Sequence, residues 1–265
     1  MCGIIAYIGS KQAVEILLGG LRRMEYRGYD SAGIGIIQHS GESKDAGDDE
    51  CKTAIKVVKK VGKVINLTNA CKGTDVTGTV GLGHTRWATH GAPSDRNSHP
   101  HSSMDGSVTV VHNGIIENFA SLKETLKRKG IEFSSDTDSE LIAHVIAGVR
   151  ADCPPDVPLV DVVRQSLTQF EGTFGLGIIF ADQPDLLIGA RKGSPLILGV
   201  GDGEYLLASD ASAIVEHTRK VVYLNDGEMV AVTRAGYEVS PIVGKLRRLA
   251  SVHTLEMSLG EIEKG

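Results

Sequence analysis

The residues able to do covalent chemistry lie in four short stretches. The first is the opening MCGII, where Cys2 follows the initiator methionine and leads into an apolar run. The thiolate is the reactive form of cysteine, and near neutral pH it needs an adjacent base. Removal of Met1 would give Cys2 a free α-amine. Such an amine titrates near ~8 and is suited to that task, whereas a lysine near ~10 would need heavy tuning. The competing reading of MC is a small residue at the start of a buried strand.

The second stretch is GHTRWATHG (83–91). It joins Arg86, two histidines (His84, His90), two threonines (Thr85, Thr89) and Trp87, the single tryptophan. Arg86 could hold a carboxylate through two parallel charge-assisted hydrogen bonds. The glycine frame after a strand suggests a loop, where binding residues concentrate; a surface loop with a packing tryptophan is the alternative. The third stretch, VVHNGIIEN (110–118), puts Asn113 and Gly114 at the end of a buried strand. A side-chain amide and a following backbone N–H make two donors for one oxygen, an oxyanion hole, and glycine permits close approach of substrate. The alternative is a hairpin turn, for which Asn-Gly is the commonest dipeptide, but the sequence after it reads as helix. The fourth stretch, SSDTDSE (134–140), holds Asp136 and Asp138. Thr137 and Glu140 read as a capping box. That leaves Asp138 a first-turn dipole role, or the task of holding an ammonium group.

A thiol nucleophile, a carboxylate clamp, an ammonium clamp and an oxyanion hole describe a site for an α-amino acid with an acyl group in its side chain. Hydrolysis of glutamine is the reaction this suggests. His84, His90, His99, His101 and His112 raise a metal alternative. Their HxxxxxH and HPH spacings match no standard ligand pattern and there is no HExxH helix, so no metal is expected.

The elements that must position these residues follow from apolar periodicity. Residues 3–9 read as a buried strand, 13–26 as an amphipathic helix and 32–38 as a strand. The polar, acidic stretch 39–53 reads as an exposed, mobile loop. Residues 55–71 read as a strand then a helix, and 78–101 as a strand running into a long loop. Residues 107–130 read as a strand, a tight Asn-Gly break and a helix ending at Gly130. Helices follow at 134–150 and 159–170. Short strands then succeed one another at 173–181, 185–191, 195–199, 204–208, 219–223 and 227–233, around a short helix near 210–215. Helices in the middle and strands at both ends favour an α+β fold over regular βαβ winding. The acidic tail 249–265 reads as helical and as the start of a cut linker.

The chain has 265 residues, 41% of them hydrophobic and 23% charged, with a net charge of −5. Its basic clusters (56–63, 126–130, 245–248) are short and read as solvated faces rather than a nucleic-acid surface. No basic n-region or long apolar span marks a secretory signal or membrane helix. The four cysteines form no CxxC pair, which fits free thiols, a reducing compartment and a cytoplasmic protein.

MCGI, LRRMEYRGYDSAGI (21–34), HTRWATHG, HPH (99–101), HNGIIEN, DTDSE, GSPL (193–196) and ASDASAI (208–214) occur in this order along nearly the whole chain. In these motifs the chain resembles the N-terminal glutaminase domains, class II and of the Ntn-hydrolase type, of glucosamine-6-phosphate synthases. The EYRGYDSAG and HTRWATHG pair is what separates these from other class II amidotransferases. The resemblance implies a four-layer α-β-β-α sandwich over residues 2–240, with 241–265 starting a linker to a sugar-isomerase domain. It implies that Cys2 is the nucleophile once Met1 is removed, and that Asn113 and Gly114 form the oxyanion hole. Arg86 would bind the α-carboxylate of L-glutamine and Asp138 its α-ammonium. Thr89 and His90 would line a closing loop, Trp87 would gate the passage of ammonia, and Arg27 and Tyr29 would organise the cysteine strand or an interface. The implied reaction runs through a γ-glutamyl thioester without cofactor. In the full-length synthase its ammonia would serve fructose-6-phosphate amination in hexosamine biosynthesis. A catalytically silent glutamine-binding regulatory module is the alternative.

Overall fold

The computed structural model describes residues 2–39, 53–87, 91–244 and 250–255. Most of the expected loop 39–53, Thr89, His90, the basic cluster 245–248 and most of the acidic tail lie outside them.

The elements run β1 (Gly3–Ile8), α1 (Ala13–Arg23), β2 (Ser31–His39), β3 (Thr53–Val61), α2 (Val64–Lys72), β4 (Val80–Arg86), β5 (His101–Ser102) and β6 (Val108–Ile116). Then come α3 (Phe119–Arg128), α4 (Ser139–Asp152), α5 (Leu159–Leu167), β7 (Gly172–Phe180), β8 (Gln183–Lys192), β9 (Ile197–Val200) and β10 (Tyr205–Ala208). The last are β11 (Lys220–Tyr223), β12 (Glu228–Thr233), β13 (Gly236–Pro241) and β14 (His253–Thr254). They form an eight-stranded sheet, ordered β14-β11-β9-β10-β1-β4-β2-β3, and a six-stranded sheet, ordered β13-β12-β8-β7-β6-β5. Neighbouring strands are antiparallel.

Side-chain alternation along β1 explains the layering. Ile4, Ala6 and Ile8 point into the core between the sheets with Val111, Ile179 and Leu187. Ile5 and Tyr7 point the other way, into a core shared with Leu17 and Leu21 of α1 and Leu67 of α2. β6 does the same in the second sheet. Val108 and Val110 meet Leu141, Ile142 and Val145 of α4, while Val111 faces the inter-sheet core. A strand whose two faces are both buried reads as one continuous apolar run, as GIIAYI and VTVV do. Three stacked cores between two sheets and two helical layers make the fold an α+β, four-layer α-β-β-α sandwich.

The structure departs from the sequence reading at several points. Asn113–Gly114 is no break. β6 continues to Ile116, with Asn113 opposite Gly175 and Gly114 opposite Phe174 on β7. Gly114 sits at φ +140°, a value open to glycine, and its missing Cβ admits the Thr173 carbonyl oxygen, which a Cβ would meet at 2.1 Å. Gly83–Arg86 is not loop but the buried end of β4, clamped between β1 (Gly3 opposite Thr85) and β2 (Ser31 opposite Arg86). The capping box at Thr137 is absent. Asp138 precedes α4 and makes no side-chain cap bond, and Glu140 instead accepts from the backbone and hydroxyls of Ser134 and Ser135. Lys59, in a cluster read as a solvated face, is half-buried, and desolvation lowers it to about 8. In the tail, residues 253–254 are strand and not helix. They pair with β11 at Val221 and Lys220, and Leu255 N–H donates to the Arg219 carbonyl. The short strands β5 and β13 were not expected.

Candidate active site

The site forms where β1, β4 and β6 end together. Cys2 lies one residue before β1, beside the end of β4. The Trp87 backbone N–H donates to its Sγ at 3.2 Å. Burial pushes the thiol pKa up and the Trp87 hydrogen bond opposes it. A thiol in this setting needs a base to be a nucleophile near neutral pH.

Alternation along β6 sends His112 and Asn113 to opposite faces. His112 turns to the helical layer, its Nδ1 2.9 Å from Ser139 Oγ. Asn113 turns to the inter-sheet side, where its Nδ2 donates to the Cys2 carbonyl oxygen at 3.2 Å. Period-two alternation also puts Val80, Leu82, His84 and Arg86 of β4 on one face, that of the inter-sheet core in which Val80 and Leu82 sit. His84 Nε2 there lies 3.0 Å from Asn113 Oδ1.

Arg86 is 4% exposed. Its Nη2 donates to the Gly91 carbonyl at 2.9 Å, and its Nη1 lies 3.7 Å from Asp30 Oδ1. Asp138 is 9% exposed. Its Oδ2 accepts the Ile116 backbone N–H at 2.9 Å, just beyond Asn113–Gly114, and its Oδ1 accepts more weakly from Ser139 Oγ at 3.3 Å. The carboxylate is thereby fixed against the end of β6 instead of capping α4. Trp87 is 53% exposed, and its indole lies over Gly28, where a Cβ would meet Cζ3 at 2.0 Å. Arg27 Nη1 and the Tyr26 hydroxyl both reach Asp210 Oδ2, at 3.1 and 2.8 Å. Tyr29 is raised to about 12 by burial and by the Glu25 carboxylate.

A cleft of about 500 Å³ is lined by Cys2, Arg27, Arg86, Trp87, Asn113, Gly114 and Asp138, together with His112, Thr173 and Ser194. Of the eight residues expected to act on substrate, six therefore share one cavity (Cys2, Arg86, Trp87, Asn113, Gly114 and Asp138), Arg27 lines it beside them, and Thr89 and His90 lie outside the described residues. A guanidinium and a carboxylate lining one cleft suit a zwitterionic amino acid. Sequence reasoning did not single out Asp30, Thr173 or Ser139. Ser and Thr at strand and helix ends carry no chemical signature of their own, and Asp30 lies beside Arg86 without itself lining the cleft.

The buried histidines stack instead of converging. His84 and His99 lie face to face at 4.0 Å and His99 meets His101 edge-on at 4.7 Å. Burial lowers all four of His84, His99, His101 and His112. Among the described residues, no group of three or more His, Cys, Asp or Glu is arranged to hold a metal ion. No helix among them is long and apolar enough to cross a membrane.

Residues 50–264 match the family model described as a glutamine amidotransferase domain. The chain is 48% identical over its whole length to a glutamine–fructose-6-phosphate aminotransferase (isomerizing) of Chlorobaculum tepidum, and 43% identical to one of Thermococcus kodakarensis. It spans 41% of the length of each of these relatives. Among solved structures, the glutamine phosphoribosylpyrophosphate amidotransferase of B. subtilis, complexed with ADP and GMP, superposes with a TM-score of 0.73 at 25% identity, over 93% of this chain and 50% of that one. A glutamine aminotransferase class-II domain protein of Silicibacter pomeroyi shares the fold, at a TM-score of 0.56 and 14% identity over 92% of this chain and all of its own.

Proposed function

The chain belongs to the glutamine amidotransferase domain family, and from that premise we propose that it hydrolyses L-glutamine to glutamate and ammonia through Cys2. The observation that carries the reading is the single cleft lined by Cys2, Asn113, Gly114, Arg86 and Asp138. It sets a nucleophile, hydrogen-bond donors and both signs of charge around one small volume.

In the proposed mechanism, Met1 is first removed and the α-amine of Cys2 becomes the base. Arg86 takes the α-carboxylate of glutamine, and Asp138 takes its α-ammonium with the carboxylate lone pairs that Ile116 does not use. This aims the side-chain amide at Cys2. The thiol passes its proton to the amine as sulfur attacks the amide carbon. Negative charge develops on the carbonyl oxygen, where Asn113 Nδ2 and the Gly114 N–H stabilise it. The amine returns the proton to the leaving nitrogen, and ammonia departs from a γ-glutamyl thioester. Water then attacks the thioester, its proton again taken by the amine, and glutamate and the thiol are released. Trp87 stands exposed at the cleft mouth, and Thr89 and His90 follow it in sequence as the proposed closing loop.

The longer relatives are named for the isomerizing amination of fructose 6-phosphate. In a full-length protein of that kind, the ammonia released here would pass to a sugar-phosphate isomerase domain following this one. The domain is proposed to run from residue 2 past the expected boundary at 240 to the sheet edge at residues 253–254, with the linker following it.

The test is glutamine hydrolysis by the wild type and by Cys2→Ala, with the intact mass of each establishing whether Met1 is present. Glutamate release by the trimmed wild type and its loss in the variant support the reading. Full activity in Cys2→Ala overturns it, and glutamine binding without turnover in the trimmed wild type would identify a silent binding module.

A further inference from the structure

An asparagine amide has nearly the same shape when turned over, yet only one orientation can stabilise an oxyanion. Turned the wrong way, Asn113 would present a carbonyl oxygen to developing negative charge. We propose that His84 is a positioning residue that locks the Asn113 amide with its NH2 group toward Cys2 and the bound acyl group. The inference rests on the reading of Asn113 as an oxyanion donor.

The argument is a chain of obligatory donors and acceptors. His84 Nε2 lies 3.1 Å from the backbone carbonyl oxygen of His112. A carbonyl oxygen only accepts, so Nε2 must carry the proton. The same Nε2 lies 3.0 Å from the Asn113 side chain. The atom facing a shared N–H must also be an acceptor, so it is Oδ1. Nδ2 is then left on the other side, where it donates to the Cys2 carbonyl oxygen at 3.2 Å. Two backbone carbonyls, at His112 and Cys2, bracket the histidine–amide pair, and both demand the same tautomer and the same amide orientation.

The environment keeps His84 in that single state. It is 1% exposed. Burial drives its pKa down to about 3, against the hydrogen bonds to Asn113 and His112 that raise it. A neutral imidazole has one N–H, and here it is fully used. Nδ1 has no hydrogen-bond partner among the described residues, and the stacked ring of His99 covers one face of the imidazole. His99 is held in turn, because its Nδ1 accepts the His112 backbone N–H at 3.3 Å. The contact crosses the sandwich from β4 to β6, so it couples the strand that carries Arg86 to the strand that carries Asn113. His84 touches no reacting atom and acts only through Asn113.

The experiment compares His84→Leu, His84→Gln, Asn113→Ala and the double variant His84→Leu/Asn113→Ala in glutamine hydrolysis. Loss of an oxyanion-hole donor costs about 10²–10³ in kcat. His84→Leu is expected to approach the lower end of that range, with KM for glutamine within about two-fold. His84→Gln has an NH2 at the position of Nε2 and should recover most of the rate. The double variant should be no slower than Asn113→Ala alone, since interactions within one unit do not add. Unchanged kcat in folded His84→Leu, or losses that multiply in the double variant, would overturn the proposal. The wild type offers a readout that needs no variant: histidine ¹⁵N NMR should find His84 protonated on Nε2, and protonation on Nδ1 would refute the lock. Absence of glutamine hydrolysis in the trimmed wild type would defeat the proposed function. Loss of activity in Asn113→Ala but not in His84→Leu would defeat only the positioning role.

Discussion

Gly114→Ala is the sharpest perturbation of the site that a single methyl group can make. A Cβ at this position would lie 2.1 Å from the Thr173 carbonyl oxygen and 2.7 Å from its carbon, where real Cβ contacts essentially never fall below 3.0 Å. The obstacle is backbone of the neighbouring strand, so no side-chain rotation relieves it. β6 must move away from β7 at the point where Gly114 faces Phe174. The φ of +140° adds local strain of about 1–3 kcal/mol for a residue with a side chain. Parting the ladder gives up one or two backbone hydrogen bonds, each worth about 1 kcal/mol. Together these suggest a loss of about 2–5 kcal/mol, and thus a melting temperature lower by roughly 10 °C. Displacing the Gly114 N–H should also lower glutaminase kcat about 100-fold. Gly148→Ala supplies the control. It lies inside α4, and an added Cβ there meets nothing within 4 Å. It should stabilise the protein by about 0.5–1 kcal/mol. Thermal melts and glutaminase assays on both variants decide the matter. A Gly114→Ala protein that melts within about a degree of wild type and keeps its activity would refute the reasoning.

Glu140→Gln should cost about 1.5–3 kcal/mol at neutral pH, because four hydrogen bonds from Ser134 and Ser135 end on this carboxylate. Burial opposes its charge, but His144 and these donors more than compensate and hold the carboxyl well below its usual range. Its stabilisation is therefore complete above the unfolded value and declines as pH falls, so denaturant melts should show the gap between wild type and variant narrowing below about pH 4. Tyr7→Phe removes a buried hydroxyl that donates to Glu204 at 3.1 Å and should cost about 1–2 kcal/mol. Burial and Glu204 raise Tyr7 to about 12, so this difference should hold steady up to about pH 10 and then shrink as pH rises toward 12. Arg86→Gln and Asp138→Asn should each raise KM for glutamine about tenfold or more, as expected for lost hydrogen bonds between charged groups. Equal KM in either variant would remove that residue from substrate binding.

The layering was legible because apolar alternation marks strands buried on both faces. GIIAYI and VTVV announced β1 and β6, and the spacing of Leu17 and Leu21 announced α1, which packs on the first of them. The close of α3 was legible for a local reason. Gly130 sits at φ +85° and the Ile131 N–H turns back to the Leu126 carbonyl, the stop that glycine signals. What the sequence concealed depends on distant partners. Asn-Gly usually turns the chain, but here pairing with β7, more than fifty residues away in sequence, keeps β6 extended. His84 and Arg86 look like loop residues because they are polar. They are buried because β1 and β2 flank them and because Asn113, Asp30 and Gly91 give their polar groups partners there. The Thr137–Glu140 pair fitted a capping box, yet Ser134 and Ser135 fold back within reach of Glu140 and take it. β14 has two residues and no apolar signal. It exists because β11 offers an edge.

Covalent capture of the acyl intermediate tests the central claim most directly. Trimmed protein is mixed with glutamine, quenched in acid within the turnover time, and mapped by peptide mass spectrometry. The expected result is an N-terminal peptide heavier by one glutamyl residue, attached through the Cys2 sulfur and removed by hydroxylamine. Glutamate production with no adduct on Cys2, or undiminished production by Cys2→Ala, would contradict the account.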